Sequence, residues 1–215
     1  MAGAAPGGAQ ARVVTADAAG SQAAAEVLRA GGVVVMPTDT VYGLAARPED
    51  ADAVQAVYRV KDRPQGMPLP VLAASLDQVH ALGVDVTDAA SALAERWWPG
   101  PLTLAFGFGP GARPAWLDGR DEVAVRIPDH DFVRELLRTT GVLLVTSANP
   151  HGTPTSRTAG DVAASLGHAV DLIVDDGELT EVPSTLVNVR AAEAVVEREG
   201  AIGRAEIERV LAAVS

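Results

Sequence analysis

The sequence predicts a single α/β domain built around a mixed β-sheet. Short apolar runs rich in β-branched residues alternate with amphipathic segments of about ten residues, the pattern of strands and helices in one layered domain. Near the carboxyl end several strand-like runs follow one another, which favours a mixed sheet over a purely parallel one. At 215 residues the chain is long enough to bury one large core, and neither an internal repeat nor a linker divides it.

Composition limits the classes of protein that this chain can represent. Residues 1–11 are rich in small residues and lack the pattern of a signal peptide, so we predict a disordered N-terminal tail ahead of a domain at 12–215. The net charge of −11 argues against a broad nucleic-acid-binding face but allows a local basic pocket. The absence of Cys excludes disulfides and thiolate metal sites and suits a reducing, cytoplasmic location. No run of about 18 apolar residues occurs, so the sequence predicts no transmembrane helix.

One stretch combines a buried strand with a polar tip. Residues 33–36 are apolar, three of them Val, and Pro37 ends the predicted strand because it has no N–H to donate. The polar residues that follow are Thr38, Asp39, Thr40 and Tyr42. They are expected at a sheet end, where open α/β sheets bind ligands. A turn that merely caps the next helix is the alternative interpretation.

Caps, glycines and apolar patterns predict the other elements. Helices are expected where a Ser, Thr or Asp cap precedes, or a Gly follows, an apolar stripe at helical spacing. In chain order they are 23–30, 51–60, two helices capped by Ser75 and Thr87, 131–140, a helix from Thr158 to 166, and 204–213. Strands are expected where a short apolar run ends at polar or turn residues. They are 33–36, 69–73, 102–106, 122–127, 142–145, 172–174, 186–189 and 195–198, with loops at 61–68 and 107–114.

Polar and cationic residues recur at the predicted strand ends. They are Lys61 and Arg63 on one loop, Arg126, Ser147, Asn149, Ser184, Thr185 and Arg198. Cations on separate elements resemble a clamp for anions, although each could instead pair with a surface acid. Lys61 is the only lysine among 17 basic residues, which indicates that an ammonium is needed at that position, unless the lysine has survived by chance.

Other routes to catalysis lack their signatures. The histidines His80, His130, His151 and His168 show no ligand spacing, so we predict no protein-held metal. The motifs GxSxG, GxGxxG and GxxxxGK[ST] are absent, which leaves no basis for hydrolase, Rossmann or P-loop chemistry. Trp97 and Trp98 precede Pro-Gly-Pro and fit core packing at a helix end better than base stacking.

Seven strings occur in an order that resembles a known family. They are PTDTVYGL, KDRPxxxPL, WPGPLTL, VAVRIPDH, SANxxGxP, PSTLVN and REGAI, spread from about residue 31 to about 202. The ordered set is similar to the YrdC-like L-threonylcarbamoyladenylate synthases in their short, single-domain form. The resemblance implies a twisted mixed β-sheet flanked by helices, with a concave ATP site. It also implies a nucleotidyltransferase that converts L-threonine, bicarbonate and ATP into threonylcarbamoyl-AMP and pyrophosphate, ahead of a separate transferase that modifies tRNA.

The resemblance also implies roles for individual residues. Thr40, Arg126 and Ser184 match the positions that hold threonine. The positions around ATP are matched by Lys61, Arg63, Ser147, Asn149, Thr155 and Arg198. Lys61 and Arg63 are the expected catalytic cations, and Mg²⁺ is expected to arrive on the ATP phosphates.

Three positions depart from the family pattern, and they keep alternatives open. Met67 replaces a Lys that many members carry, Leu72 replaces a polar residue that faces threonine in some, and His151 replaces the Ser of SANxSG. A paralogous carbamoyl-adenylate enzyme with a different acceptor is therefore one alternative. An RNA-binding module without chemistry is the other, although tight direct binding of nucleic acid and membrane association are not expected.

Overall fold

A computed structural model describes residues 10–179, 182–191 and 193–214. Its strands are β1 (Arg12–Thr15), β2 (Val34–Met36), β3 (Gly43–Ala46), β4 (Val71–Leu72), β5 (Leu102–Phe106), β6 (Val123–Arg126), β7 (Leu143–Ser147), β8 (Leu172–Asp175), β9 (Thr185–Asn188) and β10 (Val195–Arg198). Its helices are α1 (Ala18–Arg29), α2 (Ala51–Lys61), α3 (Leu76–His80), α4 (Asp88–Trp97), α5 (Asp131–Thr140), α6 (Ala159–Leu166) and α7 (Arg204–Leu211).

The ten strands form one sheet in the order β1-β8-β2-β3-β7-β4-β6-β5-β9-β10. Neighbours β1 and β8, β2 and β8, β4 and β6, and β5 and β9 run parallel, while the other five pairs are antiparallel. The predicted mixed α/β sheet is therefore confirmed. At the centre, β4 and β6 end at one edge of the sheet, and the antiparallel β7 ends at the other.

The sheet separates two apolar cores. Successive residues of a strand face opposite sides, so Val35 joins one core while Val34 and Met36 join the other. The smaller core is covered by α1 and α5, and the larger one receives residues from the remaining helices. Val57 of α2 and Leu93 of α4 are fully buried in the larger core. Each helix thereby buries its apolar stripe against the sheet, as an amphipathic helix should.

Two strands were missed by the sequence analysis. β1 begins inside the segment that we expected to lead into the first helix, and β3 consists of Gly-Leu-Ala-Ala, which lacks β-branched residues. β3 is nevertheless buried throughout because it pairs with β2 on one side and β7 on the other. Tertiary pairing, rather than local propensity, makes this segment a strand.

Other helix and strand boundaries in the structure differ from the predicted ones by a few residues. The helix predicted at 23–30 begins at Ala18, because the Asp17 carboxylate caps it by accepting the Gly20 N–H at 2.8 Å. The strand predicted at 69–73 is reduced to Val71–Leu72, although Leu69 is also buried. Within the region after the predicted loop 107–114, Ala115–Leu117 form a short 3₁₀ helix.

The amino-terminal boundary is only partly described. Residues 1–9 of the predicted tail 1–11 lie outside the described residues. Ala11 is buried, and its N–H donates to the Gly167 oxygen at 2.7 Å. None of the helices in the described part of the chain has the length and apolar character needed to cross a membrane.

Candidate active site

A cavity of about 350 Å³ is lined by residues of β3, β4, β6 and β7 and of the loops that follow β2 and α2. It is lined by all nine residues that the family resemblance assigns to threonine or ATP: Thr40, Lys61, Arg63, Arg126, Ser147, Asn149, Thr155, Ser184 and Arg198. A larger groove of about 790 Å³ lies between α4, α7 and β10, but among its described lining residues Arg204 is accompanied by three acids. The smaller cavity is therefore the better candidate, because anion binding needs convergent cations.

Lys61 is the last residue of α2, and its ammonium is enclosed by the turn that follows β7. The Nζ atom donates to the backbone oxygens of Ser147 at 2.5 Å and Asn149 at 2.6 Å. The Asn149 Oδ1 atom lies 3.2 Å from Nζ. Lys61 is only 2% exposed, and burial, assisted by the charge of Arg63, lowers its pKa to about 8. The ammonium thus joins the helix end to the turn.

The turn itself is held by further hydrogen bonds. Asn149 Nδ2 donates to the Thr153 oxygen at 2.6 Å, and the His151 N–H donates to the Lys61 oxygen at 2.9 Å. Lys61 therefore contacts the turn through both its side chain and its backbone. This arrangement presents the Ser147 and Asn149 side chains to the cavity from a fixed backbone.

Arg63 follows Lys61 after a left-handed residue. Asp62 ends α2 with φ of 50°, and this conformation reverses the chain so that Arg63 also reaches the cavity. The guanidinium donates to the backbone oxygens of Met67 at 3.0 Å and Pro68 at 3.1 Å. These bonds close the loop 61–68, and they leave the half-buried Arg63 without an acidic partner among the described residues.

Arg126 ends β6 and is the most buried cation that lines the cavity after Lys61, at 6% exposure. Its Nη1 donates to Thr40 Oγ1 at 2.8 Å, its Nε donates to the Gly100 oxygen at 3.0 Å, and its Nη2 forms an ion pair with Asp39. Burial lowers the pKa of Arg126, and the Asp39 charge opposes that change. The predicted polar tip after β2 therefore does reach the cavity.

Ser184 and Arg198 form another wall of the cavity. Arg198 Nη2 donates to the Ser184 backbone oxygen at 2.9 Å, and the Ser184 and Thr103 hydroxyl oxygens are 2.7 Å apart. Burial lowers the pKa of Arg198. Behind this wall, Thr185 Oγ1 accepts the Gly200 and Ile202 N–H groups and donates to the Ile202 oxygen. These bonds tie the REGAI segment to the start of β9.

The cavity carries an excess of positive charge. Of its four cations, Arg126 alone is ion-paired with an acid in the part of the chain that the structure describes. The surface-pairing alternative therefore fails for Lys61, Arg63 and Arg198, which are held by backbone oxygens instead. Such a site is suited to a ligand that brings more than one negative group.

Thr38 and Thr103 also line the cavity, although the sequence analysis gave neither of them an individual role. Thr38 accepts the Thr40 and Val41 N–H groups, both at 3.1 Å, and Thr103 bonds to Ser184. A single hydroxyl inside the apolar strand LTLAF was the available signal for Thr103. Tyr42 belongs to the predicted polar tip, but it does not face the cavity. It is buried, and its hydroxyl donates to the Gly177 oxygen at 2.7 Å.

The side chains that could ligate a metal are scattered over the described structure. No cluster of three or more His, Cys, Asp or Glu side chains is found within residues 10–179, 182–191 and 193–214. Asp39 lies beside the cavity cations, and its carboxylate forms an ion pair with Arg126. Within the described residues, carboxylates are therefore not grouped in a way that could hold Mg²⁺ directly.

Sequence comparison identifies relatives. Residues 26–200 match the family Sua5_yciO_yrdC, described as Telomere recombination. Threonylcarbamoyl-AMP synthase of Pseudomonas aeruginosa is 42% identical over 155 residues, which cover 72% of this chain and 83% of that protein. The Bacillus subtilis threonylcarbamoyl-AMP synthase is 38% identical over 191 residues, 87% of this chain but 55% of that protein. This chain thus spans only about half the length of some curated relatives.

Solved structures agree with these relatives. Pyrococcus abyssi Sua5 complexed with L-threonine has a TM-score of 0.84 at 33% identity, covering 95% of this chain and 61% of that one. Escherichia coli YciO has a TM-score of 0.80 at 27% identity, covering 90% of this chain and 97% of that one. Family match, sequence identity and fold coincide, and the chain belongs to the Sua5_yciO_yrdC family.

Proposed function

We propose that this chain is a threonylcarbamoyl-AMP synthase, a nucleotidyltransferase that acts on L-threonine, bicarbonate and ATP. One observation carries the proposal: four cations and several hydroxyls from separate elements converge on one cavity of about 350 Å³. The names of the relatives and the threonine complex of Pyrococcus abyssi Sua5 support the choice of substrates.

We propose a division of labour among the residues that line the cavity. In our proposal Thr40, Arg126 and Ser184 hold the amino acid, since a guanidinium can take a carboxylate through two parallel hydrogen bonds. The ATP side is formed by Lys61, Arg63, Ser147, Asn149, Thr155 and Arg198. Arg63 and Arg198 have side chains bonded to backbone oxygens, which fixes their positions before a ligand arrives.

The proposed chemistry needs positioning and charge neutralisation more than proton transfer. The threonine amine and bicarbonate form a carbamate with loss of water, and a carbamate oxygen then attacks the α-phosphorus while the bond to pyrophosphate breaks. Holding two anions close together costs free energy in water, and a cationic cavity offsets this cost. Mg²⁺ on the phosphates would neutralise part of the charge on the leaving pyrophosphate.

The biological setting follows from the product. Threonylcarbamoyl-AMP is a mixed anhydride, so we propose that a separate transferase consumes it to modify tRNA. A cytoplasmic location suits the absence of cysteine and the need for ATP and tRNA.

The test is direct synthesis. The purified protein is incubated with ATP, Mg²⁺, bicarbonate and isotopically labelled threonine, and the labelled adenylate is sought by mass spectrometry while pyrophosphate is measured. Both products are expected only when threonine and bicarbonate are present together. Pyrophosphate release without a threonine-containing adenylate would overturn the proposal.

A different acceptor amine is the second candidate, and Leu72 favours it. Leu72 is buried and lines the cavity, so it presents an apolar side chain to the ligand space. His151 lines the cavity as well, whereas Met67 is largely exposed. Running the synthesis with a panel of amino acids separates the two candidates, because a paralogue would prefer an acceptor other than threonine.

A further inference from the structure

We infer that Asp39 is a positioning residue for the amino-acid half of the cavity, and that it acts through Arg126. This inference rests on the proposed function, because it assumes that Arg126 receives a substrate carboxylate. Neither the family strings nor the predicted site assigned a role to Asp39.

The contacts of Arg126 show what Asp39 completes. A guanidinium has five N–H donors, and in the described structure Arg126 uses one from each nitrogen: to Gly100, to Thr40 and to Asp39. One donor is left on each terminal nitrogen, the number that a bidentate carboxylate takes. Because three acceptors on two separate segments, the turn between β2 and β3 and the loop before β5, hold the group, its plane is fixed before a ligand arrives.

Asp39 is itself held rigidly. Thr38 Oγ1 accepts the N–H groups of Thr40 and Val41 and donates to the Val41 oxygen at 2.7 Å, so a closed turn surrounds Asp39. Its side chain is 12% exposed, against 7% for that of Arg126. Thr38 and Thr40 line the cavity on either side of it, but Asp39 is not among the described lining residues. Its contact with the site is therefore the ion pair with Arg126, which does line the cavity.

Charge explains why an acid is needed at this position. Arg198 lies close enough to Arg126 to disfavour its charge, and burial disfavours it further, whereas Asp39 favours it. Removing the carboxylate would leave a buried guanidinium beside a second cation, which is costly. The guanidinium is then expected to reorient towards solvent and lose its alignment with an incoming carboxylate.

The test measures threonine binding by calorimetry, with ATP affinity as the internal comparison. Asp39→Asn is expected to weaken threonine binding at least tenfold and to change ATP binding less than twofold. Asp39→Glu should recover part of the loss because it restores the charge. Asp129→Asn is the matched control, since its carboxylate pairs with Arg134 on the surface, and it should change neither affinity.

A double-mutant cycle shows whether Asp39 acts through Arg126. In an Arg126→Ala background, Asp39→Asn should change the remaining threonine affinity less than twofold, and circular dichroism verifies folding of each variant. Unchanged or tighter threonine binding by Asp39→Asn alone would overturn the inference, and tighter binding would mean that Asp39 competes with the substrate carboxylate. If the wild-type protein binds no threonine, the proposed function is wrong, and the inference that depends on it is wrong as well.

Discussion

The Lys61 ammonium lies 2.6 Å from the backbone oxygen of Asn149 and 3.2 Å from its side-chain oxygen. This contact connects the last residue of α2 to the turn after β7, 88 residues further along the chain. An ammonium has three donors, and here protein oxygens surround it. Lys61 therefore shapes the cavity wall through the turn after β7, in addition to contributing charge.

Lys61→Arg should reduce kcat/KM roughly a hundredfold, equivalent to about 2.7 kcal/mol of transition-state stabilisation. The guanidinium keeps the charge but is larger than the ammonium, so the enclosing turn must move. Steady-state kinetics and a thermal melt test this, with Arg59→Lys on the exposed face of α2 as the control. Activity within threefold of wild type would contradict the assignment of Lys61 to the site.

The pH dependence of activity should report the same residue. The pKa of Lys61 is lowered to about 8 by burial, so its ammonium is lost as the pH rises through that value and activity should fall. The free energy of unfolding should instead increase as the pH rises. The unfolded chain keeps this proton up to the ordinary pKa of 10.5 and so binds more protons between these values, which makes the contribution of Lys61 more favourable as the pH rises.

The measurement is a pH profile of kcat/KM for wild type and for Lys61→Arg. Because the substrate amine also titrates, only a limb near pH 8 that disappears in the variant is attributed to Lys61. A limb that is identical in both proteins would belong to the substrate, and the prediction would be wrong.

Arg126→Ala should raise the threonine KM far more than the ATP KM. Losing a desolvated charge pair costs about 2 to 5 kcal/mol, and the variant also leaves Asp39 without its partner. Arg134→Ala is the control, since that guanidinium pairs with Asp129 and Asp131 away from the cavity. A larger effect on ATP than on threonine would reverse the two halves of the site.

Gly200→Ala should destabilise the protein by about 1 to 3 kcal/mol and raise the threonine KM. A Cβ atom at this position would lie 2.3 Å from the Pro183 oxygen and 2.6 Å from the Ser184 carbonyl carbon, so the backbone that carries Ser184 must shift. Gly160→Ala in α6 meets only ordinary contacts and should leave stability unchanged or slightly higher. Chemical denaturation of both variants provides the comparison, and equal stabilities would refute the prediction.

Direct RNA binding should be weak and should weaken further as salt is raised. With a net charge of −11, few cations are available to release counterions from phosphates. A binding titration with tRNA across a salt series checks this. Submicromolar affinity at physiological salt would revive the RNA-binding alternative.

Local sequence patterns predicted most of the helices and strands. They failed where a segment becomes a strand only because it pairs with residues that are distant in the sequence. The Val-rich run of β2 is recognisable alone, whereas β3 is a strand because β2 and β7 enclose it. The site shows the same limit. Strand-end residues such as Arg126 could be listed from the sequence, but the contact between Thr103 and Ser184 depends on the pairing of β5 with β9. No local pattern reveals that Asp39 faces Arg126, 87 residues away.

The enclosure of Lys61 also gives the protein a chemical property that is useful at the bench. Acylating reagents such as N-hydroxysuccinimide esters need an exposed, unprotonated amine, and the only side-chain amine of this chain is 2% exposed. Lysine-directed cross-linking or fluorescent tagging will therefore leave the folded active site unmodified. Acylation of Lys61 requires the turn after β7 to release Nζ, so the acylation rate of this one residue reports how often that turn opens.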